Sequence, residues 1–405
     1  MSSALEGIRV LECAGGINGP STGCMLGVLG AEVIKIEQPI HGAWERGIDA
    51  IGGTGLVLPH GLSIAMEIFN HSKKSFTLDL NKEKGKEILY QLVTKSDVLI
   101  TNYHRSAATK LGIDYQSISK YNPRLIYAST SALGARGAES ERRAFDFTGQ
   151  ARSGMMTAMG EPSKSPAIMV GAPIDQLGAI MLGFGILAAI IARERTGSGQ
   201  EVDTSMMGAA IYMQAFHVGI SLLRGRVLSR HSRLRTKSPL SNYYQCADGE
   251  WLVLTETQVP RFWNNFCRAL GITELIDDPR FNNVQVMRKN ARSFISILDK
   301  IFVTKTREEW LKILDQEVGL ACSPIHSISD LATDPQVLEN EYIVDFDHPV
   351  LGQIKLPFLP IKLSKTPAEL KNRAPELGEH TEEILIEVCG YNWEEITELK
   401  EQEVI

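Results

Sequence analysis

Short apolar runs alternate with amphipathic stretches through the first half of the chain. Predicted strands, rich in β-branched and aliphatic residues, cover 8–13, 32–37, 76–80, 97–102 and 125–129. Between the third and fourth runs, residues 81–96 place Ile88, Leu89 and Leu92 on one face, the spacing of a helix packed on a core. Strands that alternate with helices form βαβ units, so the pattern predicts an α/β domain with a mostly parallel sheet.

One long apolar stretch follows in the middle of the chain. Residues 176–195 are apolar on nearly every side, which predicts a single buried helix that ends at the glycines of 196–199. A brief strand over 201–204 and a helix over 207–224 are predicted next. A membrane span needs about 20 apolar residues. The apolar stretch 177–192 is shorter and contains three glycines, so we expect a core helix.

The composition changes after the predicted helix that ends at 224. Residues 224–237 are strongly basic, and beyond them two strands flank the Asp248-Gly249 turn before a helix over 262–270. This pattern predicts a smaller α+β unit. Near the end of the chain, residues 378–399 are predicted to be helical and charged. The expected division is a large α/β domain over 1–224, a small α+β domain over 225–335, and a C-terminal segment over 336–405 that returns to the large domain.

Composition narrows the class of partner. The 405 residues are 43% apolar and 22% charged, which is typical of a soluble globular protein with room for two domains. The net charge of -6 provides no general basic field, so we expect no nucleic-acid partner. Residues 1–9 lack a signal-peptide pattern, and the six cysteines form no CxxC pair. We therefore expect a cytoplasmic protein with reduced thiols, no metal site and no membrane anchor.

A carboxylate lies at the start of the long apolar stretch. On spacing alone Asp175 is an N-cap, because its oxygens can accept hydrogen bonds from free backbone N–H groups. The same position suits catalysis, since the helix dipole would keep the carboxylate ionised and able to act as a nucleophile. Backbone N–H groups around 176–178 are then candidates for stabilising developing negative charge.

Polar residues close the fourth predicted strand. Asn102, Tyr103 and Arg105 come at its carboxyl end, where α/β sheets bind their ligands. A ring beside a guanidinium could stack on adenine and pair with phosphate, although an ordinary loop is the simpler interpretation. The glycine-rich turn over 14–20 lacks the GxGxxG spacing, so a dinucleotide fingerprint is not supported. Neither HExxH nor GxSxG occurs in the sequence.

Pieces of sequence spread along nearly the whole chain resemble the family III CoA-transferases. This family includes formyl-CoA transferase, carnitine CoA-transferase and the α-methylacyl-CoA racemases. The matching pieces are 5–11, 19–20, 29–37, 73–80, 97–102, 122–127, 195–200, 202–206 and 377–381. The resemblance implies a Rossmann-like large domain, an interlocked dimer with an identical or a related chain, and CoA thioesters as substrates. It implies no tightly bound cofactor.

The resemblance also implies roles for particular residues. Asp175 matches the family's catalytic aspartate, which carries the acyl group. The residues placed at coenzyme A are Asn102, Tyr103, Lys110, Leu78, Met206 and Gln38, with Arg105 as a further candidate. Gln38 stands where formyl-CoA transferase has an arginine, and Ser131 where it has a lysine. These two departures put the phosphate contacts in question.

The implied mechanism is covalent. Asp175 attacks an acyl-CoA to give an anhydride, the thiolate returns to form an aspartyl-CoA thioester, and an acceptor acid reverses the sequence. The apolar segment 48–69 is expected to overlie the site, unless it serves as core or dimer interface. A sizeable hydrophobic acid, such as an aryl- or alkylsuccinate, is then the expected acceptor, with succinyl-CoA as a plausible donor.

Two alternatives remain at this point. A racemase or isomerase needs a histidine base in a GHDxNY-like motif, but the corresponding stretch reads AFDFT and puts Phe145 at that place. The second alternative is a non-catalytic CoA-binding subunit of a heteromeric transferase, and the presence of Asp175 counts against it. Residues 238–242 and Ile17 replace a glycine-rich loop and a glutamine of formyl-CoA transferase, which argues against oxalate or formate as the acid.

Overall fold

A six-stranded sheet forms the centre of the computed structural model, which describes residues 3–51 and 53–405. The strands are β1 (Arg9–Cys13), β2 (Glu32–Glu37), β3 (Ala50–Ile51), β4 (Thr54–Gly55), β5 (Lys74–Thr77), β6 (Val98–Thr101), β7 (Ile126–Ser131), β8 (Glu201–Ser205), β9 (Ser241–Gln245), β10 (Trp251–Thr255), β11 (Cys322–Pro324), β12 (Ile343–His348) and β13 (Gly352–Pro357). The large sheet has the order β5-β2-β1-β6-β7-β8, and every neighbouring pair is parallel. This order reverses between β1 and β6, as in a doubly wound Rossmann-like fold. The predicted α/β class with a mostly parallel sheet is confirmed.

Helices connect the strands and cover the sheet. They are α1 (Asn18–Val28), α2 (Ile64–Phe69), α3 (Glu83–Thr94), α4 (Arg105–Leu111), α5 (Tyr115–Ile118), α6 (Asp146–Arg152), α7 (Met155–Ala158), α8 (Pro173–Thr196), α9 (Met206–Met213), α10 (Ala215–Arg224), α11 (Val259–Ala269), α12 (Val284–Lys289), α13 (Ala291–Phe302), α14 (Arg307–Lys312), α15 (Pro335–Glu339), α16 (Thr381–Ile384) and α17 (Trp393–Glu401). Short π-helical turns over Ile313–Val318 and Leu385–Cys389 continue α14 and α16.

The two faces of the sheet bury separate apolar clusters because successive strand residues point to opposite sides. On one face, Leu11 and Leu99 pack with α3 and the C-terminal helices α16 and α17. On the other face, Val10 and Ile100 pack with Leu26 of α1 and with the buried side of α8. The last residues therefore complete the core of the large sheet.

Two predicted helices differ from the structure. The long helix α8 is buried on one side only, and the Phe184 side chain is 68% exposed on the other. By length and composition alone α8 could cross a membrane, but Leu182 and Ile186 lie fully buried in the sheet core. The predicted helix 207–224 is two helices, α9 and α10, bent by 74°. Gln214 leaves helical geometry between them, and its amide donates to the Ser153 carbonyl at 3.2 Å.

The chain divides into two compact units. The first consists of Met1–Met156, Ile168–Val227 and Pro335–Ile405, and the second of Thr157–Ala167 and Leu228–Asp334. Residues 157–167 thus belong to the second unit, although the sequence pattern assigned them to the large domain.

The second unit has its own core around the antiparallel sheet β11-β10-β9. Its helices contribute a cluster of aromatic side chains, among them Trp263, Phe294 and Trp310. Arg230 ties residues 157–165 to this unit, since its guanidinium donates to four carbonyl oxygens of that segment, the nearest being that of Thr157 at 2.7 Å.

Candidate active site

Asp175 lies in the first turn of α8. The helix begins at Pro173, whose fixed φ suits a first helical position, and the preceding Ala172 is left-handed with φ 55° and ψ 47°. Asp175 is therefore the third helical residue, and its side chain does not cap the helix. The predicted N-cap role is wrong, because the chain enters the helix two residues before Asp175.

A second carboxylate, Asp146, caps the start of α8 from a distance in the sequence. Its Oδ2 accepts from the backbone N–H groups of Ile174 at 2.8 Å and Asp175 at 3.2 Å. Gln150, fully buried one turn along α6, donates to Asp146 Oδ1 at 2.5 Å and also bonds both backbone groups of Met169. This network fixes the backbone on which Asp175 is carried.

The environment makes the Asp175 carboxyl a weaker acid than usual. Burial, and then the negative charge of Asp146, raise its pKa from 3.8 to about 7. The sequence interpretation, that the helix dipole keeps this group ionised, predicts a lowered pKa, whereas burial and the like charge of Asp146 raise it. A carboxylate with a raised pKa is more basic, and a group that titrates near neutrality is suited to chemistry.

Among the backbone N–H groups of 176–178 that the sequence proposes as an anion site, that of Gln176 is already used, as are the two N–H groups that precede it. Asp146 accepts from those of Ile174 and Asp175, and Gln176 N–H donates to Ala172 O at 3.2 Å. The first turn of α8 is thus satisfied within the chain.

The turn after β1, where Rossmann folds bind phosphate, is also satisfied within the chain. Glu45 accepts from Gly16 N–H at 2.8 Å. Asn102, at the end of β6, accepts from Gly15 N–H at 3.2 Å and donates to the Gly15 carbonyl at 2.6 Å. Trp44 packs over Gly16, which adopts φ 80°. A side-chain carboxylate and an indole therefore occupy the approach that a pyrophosphate would use.

Buried ion pairs anchor Glu45 in this position. Lys35 Nζ contacts Glu45 at 2.7 Å and Glu12 at 2.9 Å, and Lys73 contacts the other oxygen of Glu12 at 2.7 Å. All four side chains are fully buried. Burial opposes ionisation of Glu12, yet Lys35 and Lys73 hold its pKa below the ordinary value. The alternating charges compensate one another, as a buried network requires.

A cavity of about 270 Å³ lies between the segment that follows β6 and the strands β7 and β8. Tyr103 and Arg105 line it, as does Ser131. The carboxylates that line it are Asp114, Glu141, Glu201 and Asp203. Arg105 pairs with Glu201 at 3.2 Å, so the lining offers more negative than positive charge. The predicted Tyr103 and Arg105 do share one cavity, but the cavity is not a ready-made phosphate site.

The other predicted residues are distributed around this region. Lys110 is exposed in the last turn of α4, and Leu78 is buried in the core. The exposed Gln38 turns back on its own loop, where its Oε1 accepts from the N–H groups of residues 40 and 41. Met206 begins α9 beside α8: a Cβ placed on Gly178 would lie 3.4 Å from its Cγ. Met206 therefore lies beside the first turns of α8.

Segment 48–69 is largely exposed in its first part, apart from residue 52, which lies outside the described residues. Val57 is 56% exposed and Ile51 is 43% exposed. The segment is attached to Glu45, because Ser63 Oγ donates to the Glu45 carbonyl at 2.7 Å. Across residues 3–51 and 53–405, no group of three His, Cys, Asp or Glu side chains could hold a metal ion. The six cysteines are unpaired thiols.

Sequence reasoning missed the residues that organise this site. Asp146 and Glu45 are far in sequence from the groups they hold, and the sequence marks Asn18 only as part of the glycine-rich turn over 14–20. A usable signal for Asp146 exists in the sequence, because this residue directly follows Phe145 in the stretch AFDFT that corresponds to the racemase motif.

Comparisons with known proteins agree with this architecture. The signature of CoA-transferase family III matches residues 5–381. The (R)-2-hydroxy-4-methylpentanoate CoA-transferase of Clostridioides difficile is 31% identical over 99% of both chains. The cinnamoyl-CoA:phenyllactate CoA-transferase of Clostridium sporogenes is 28% identical over 100% of this chain and 98% of its own.

A solved structure has the same fold along nearly the whole chain. A CAIB/BAIF family protein from Brucella suis superimposes with a TM-score of 0.84 at 28% identity, covering 96% of this chain and 100% of its own. The predicted resemblance is confirmed, and the chain belongs to CoA-transferase family III, as an enzyme that acts on CoA thioesters.

Proposed function

We propose that Asp175 is the nucleophile of a CoA transfer from an acyl-CoA to a carboxylic acid. Its carboxylate oxygen attacks the thioester carbon, and the C–S bond breaks to give an aspartyl–acyl anhydride and CoA thiolate. The thiolate then attacks the aspartyl carbonyl, which releases the donor acid and leaves an aspartyl-CoA thioester. The acceptor carboxylate runs the same two steps in reverse and leaves with CoA.

The observation that carries the proposal is the half-buried Asp175 carboxyl on a backbone held by Asp146. Its pKa of about 7 gives a basic carboxylate that is substantially ionised at neutral pH. The partly buried position limits access of water, which would hydrolyse an anhydride. Since one thioester replaces another, the exchange needs no other energy source and no tightly bound cofactor.

We propose an acceptor acid that is hydrophobic and of moderate size. We propose that the apolar segment 48–69, whose Ile51 and Val57 side chains are exposed, overlies Asp175 and takes up the alkyl or aryl group. The two relatives compared above are named for 2-hydroxy-4-methylpentanoate and phenyllactate, which carry an alkyl and an aryl group. The candidates are therefore alkyl- or aryl-substituted hydroxy acids and succinates, with succinyl-CoA or an arylacyl-CoA as donor.

A racemase reaction is disfavoured by the residue beside Asp146. Phe145 carries no proton to exchange, and Arg143 lies over its ring at 5.3 Å. A two-base mechanism would lack one of its bases at this place. Incubating a chiral 2-methylacyl-CoA in deuterated water should give no α-deuterium in the absence of an acceptor acid.

Trapping the intermediate tests the proposed nucleophile. The enzyme is incubated with succinyl-CoA and hydroxylamine, digested and analysed by mass spectrometry. We expect a hydroxamate on the peptide that contains Asp175, and an Asp175→Ala variant that retains its circular dichroism but has lost transfer by at least a thousandfold. Asp277→Ala, at an exposed carboxyl in the second unit, should transfer CoA at the wild-type rate. Modification elsewhere, or an active Asp175→Ala protein, would contradict the proposal.

We further propose a cytoplasmic dimer with a second copy or a related chain. Phe216, Leu222 and Leu223 of α10 are at least 80% exposed, and Phe184 of α8 is also exposed. Exposed apolar side chains in such number are typical of a protein interface. Leu223→Asp should shift the mass measured by light scattering toward that of one chain.

A further inference from the structure

Asn18 is a buried amide that lacks a hydrogen-bonding partner among residues 3–51 and 53–405. It begins α1, is 4% exposed, and neither its Oδ1 nor its Nδ2 has a hydrogen-bond partner. Leaving a buried polar group unpaired costs about 1–3 kcal/mol, so such groups are uncommon in native proteins. A buried amide with both ends unpaired therefore points to a ligand that completes it.

The Asn18 amide lies against the first turns of α8. A Cβ added at Gly178 would lie 2.3 Å from Asn18 Nδ2, so only glycine allows this approach. Thr22 Oγ1, one turn further along α1, donates to Ala179 O at 3.2 Å and holds the two helices together. Gly178 is three residues from Asp175, and helix positions with that spacing share a face with their Cβ positions about 5–6 Å apart.

The charge that develops during transfer needs a donor in this region. Addition of a thiolate to the aspartyl carbonyl places negative charge on its oxygen. The backbone N–H groups of Ile174 and Asp175 are bound to Asp146, and that of Gln176 to Ala172 O. The Asn18 amide is unpaired, and it begins the 11-residue helix α1, whose positive end also favours an anion.

We infer that the Asn18 side-chain amide donates a hydrogen bond to the reacting carbonyl oxygen of the Asp175 adduct. The inference rests on the proposed function of Asp175. As the nucleophile adds, the electron pair of the C=O bond moves to oxygen and the amide N–H binds the oxyanion. As the leaving group departs with its own bonding pair, the C=O bond reforms and the hydrogen bond weakens. The protons of the amide stay on Asn18 throughout.

The test replaces Asn18 by leucine, which has nearly the same shape and no donor. We expect Asn18→Leu to lower kcat by about 10²–10³-fold, the usual cost of removing one such donor, with KM for the acyl-CoA within about threefold. Because an unpaired amide is removed, the melting temperature should stay the same or rise.

Asn122→Leu is the matched control. The Asn122 amide is fully used, since it donates to Val93 O at 2.9 Å and Ser96 O at 2.8 Å. The same substitution there should lower the melting temperature and leave kcat unchanged. A lowered kcat at Asn18 and a lowered melting temperature at Asn122 would distinguish a role in transfer from a role in packing.

Three results would overturn the inference while leaving Asp175 in place. The first is an Asn18→Leu enzyme whose kcat stays within about threefold of wild type. The second is a loss of activity that appears only as a raised KM. The third is an Asn18→Leu enzyme whose melting temperature falls as in Asn122→Leu, together with an Asn18→Ala enzyme whose kcat is that of wild type. In each case Asp175→Ala is still inactive. If wild type and Asp175→Ala show equal transfer with every donor and acceptor, the proposed function itself has failed.

Discussion

The turn after β1 and the start of α8 both meet the description of an anion site, and the chain binds the backbone N–H groups of both, yet the side chains beside them are left in opposite states. At the first, Glu45 and Asn102 take up the backbone groups of Gly15 and Gly16. At the second, Asp146 caps the helix but leaves Asp175 partly buried with a raised pKa and the nearby Asn18 amide unpaired.

The difference agrees with the reactive role proposed for Asp175 in this Rossmann-like fold. A site whose donors and charges are satisfied internally is structural, however closely its position matches a phosphate site elsewhere. A site with a destabilised carboxylate and an unpaired amide holds unfavourable interactions that a substrate can relieve. Satisfaction of polar groups therefore distinguishes the two places better than their topology does.

The largest expected effect, on the free energy of unfolding, comes from removing the carboxylate that occupies the turn after β1. Glu45→Ala removes one partner of Lys35 in a fully buried network, which should lower the free energy of unfolding by about 3–5 kcal/mol. Because Gly16 N–H also becomes free, phosphate should stabilise this variant and have little effect on wild type. Denaturant unfolding with and without phosphate measures both effects. Glu87→Ala, at an exposed ion pair, is the control and should leave the midpoint unchanged.

The comparison is contradicted if Glu45→Ala unfolds at the wild-type midpoint. In that case the buried ion pairs would not anchor the turn after β1, and the occupation of its backbone N–H groups by Glu45 and Asn102 would need another explanation.

The next effect concerns the cap of α8. Asp146→Ala leaves the N–H groups of Ile174 and Asp175 without their acceptor, so we expect a loss of about 2–3 kcal/mol in unfolding free energy. Transfer should fall by more than tenfold, because the start of the helix loosens. Asp146→Asn retains an acceptor oxygen, so its unfolding free energy and its transfer rate should lie between those of Asp146→Ala and wild type. Equal stability of Asp146→Ala and wild type would remove Asp146 from its capping role.

A smaller effect, with the opposite sign, comes from Asp175 itself. The folded-state pKa of about 7 exceeds the ordinary 3.8, so the ionised carboxyl destabilises the fold increasingly as pH rises from about 4 to 7 and constantly above that. Asp175→Asn should therefore stabilise the protein, by about 1–3 kcal/mol more at pH 8 than at pH 4.5. Unfolding free energies at the two pH values give the comparison. A gain that does not depend on pH would show that the carboxyl titrates normally.

The smallest expected effect is at Asn102. Its amide bonds both backbone groups of Gly15, so Asn102→Ala should cost about 1–2 kcal/mol of stability. Because these bonds already occupy the amide, KM for acyl-CoA should rise only a few fold. A loss of CoA binding of a hundredfold or more, measured by calorimetry, would instead make Asn102 a direct ligand and weaken the contrast between the two sites.

Much of this molecule follows from local pattern. The alternation of apolar runs and helical stretches determined a parallel α/β sheet, since the side-chain periods of strands and helices can be read within a few residues. The position of Asp175 before a long apolar stretch ending in glycines marked it as a candidate without coordinates. The bend at Gln214 could not be read this way, because a bond to the distant Ser153 carbonyl accompanies it.

The tertiary structure alone decided which polar groups are satisfied. Asp146 reaches the backbone of Ile174 across 28 residues, and Glu45 reaches Gly16 across 29. Asn18 meets Gly178 only because α1 and α8 pack on one face of the sheet. Hydrogen-bond satisfaction and burial are properties of atoms brought together by folding, and no local periodicity records them.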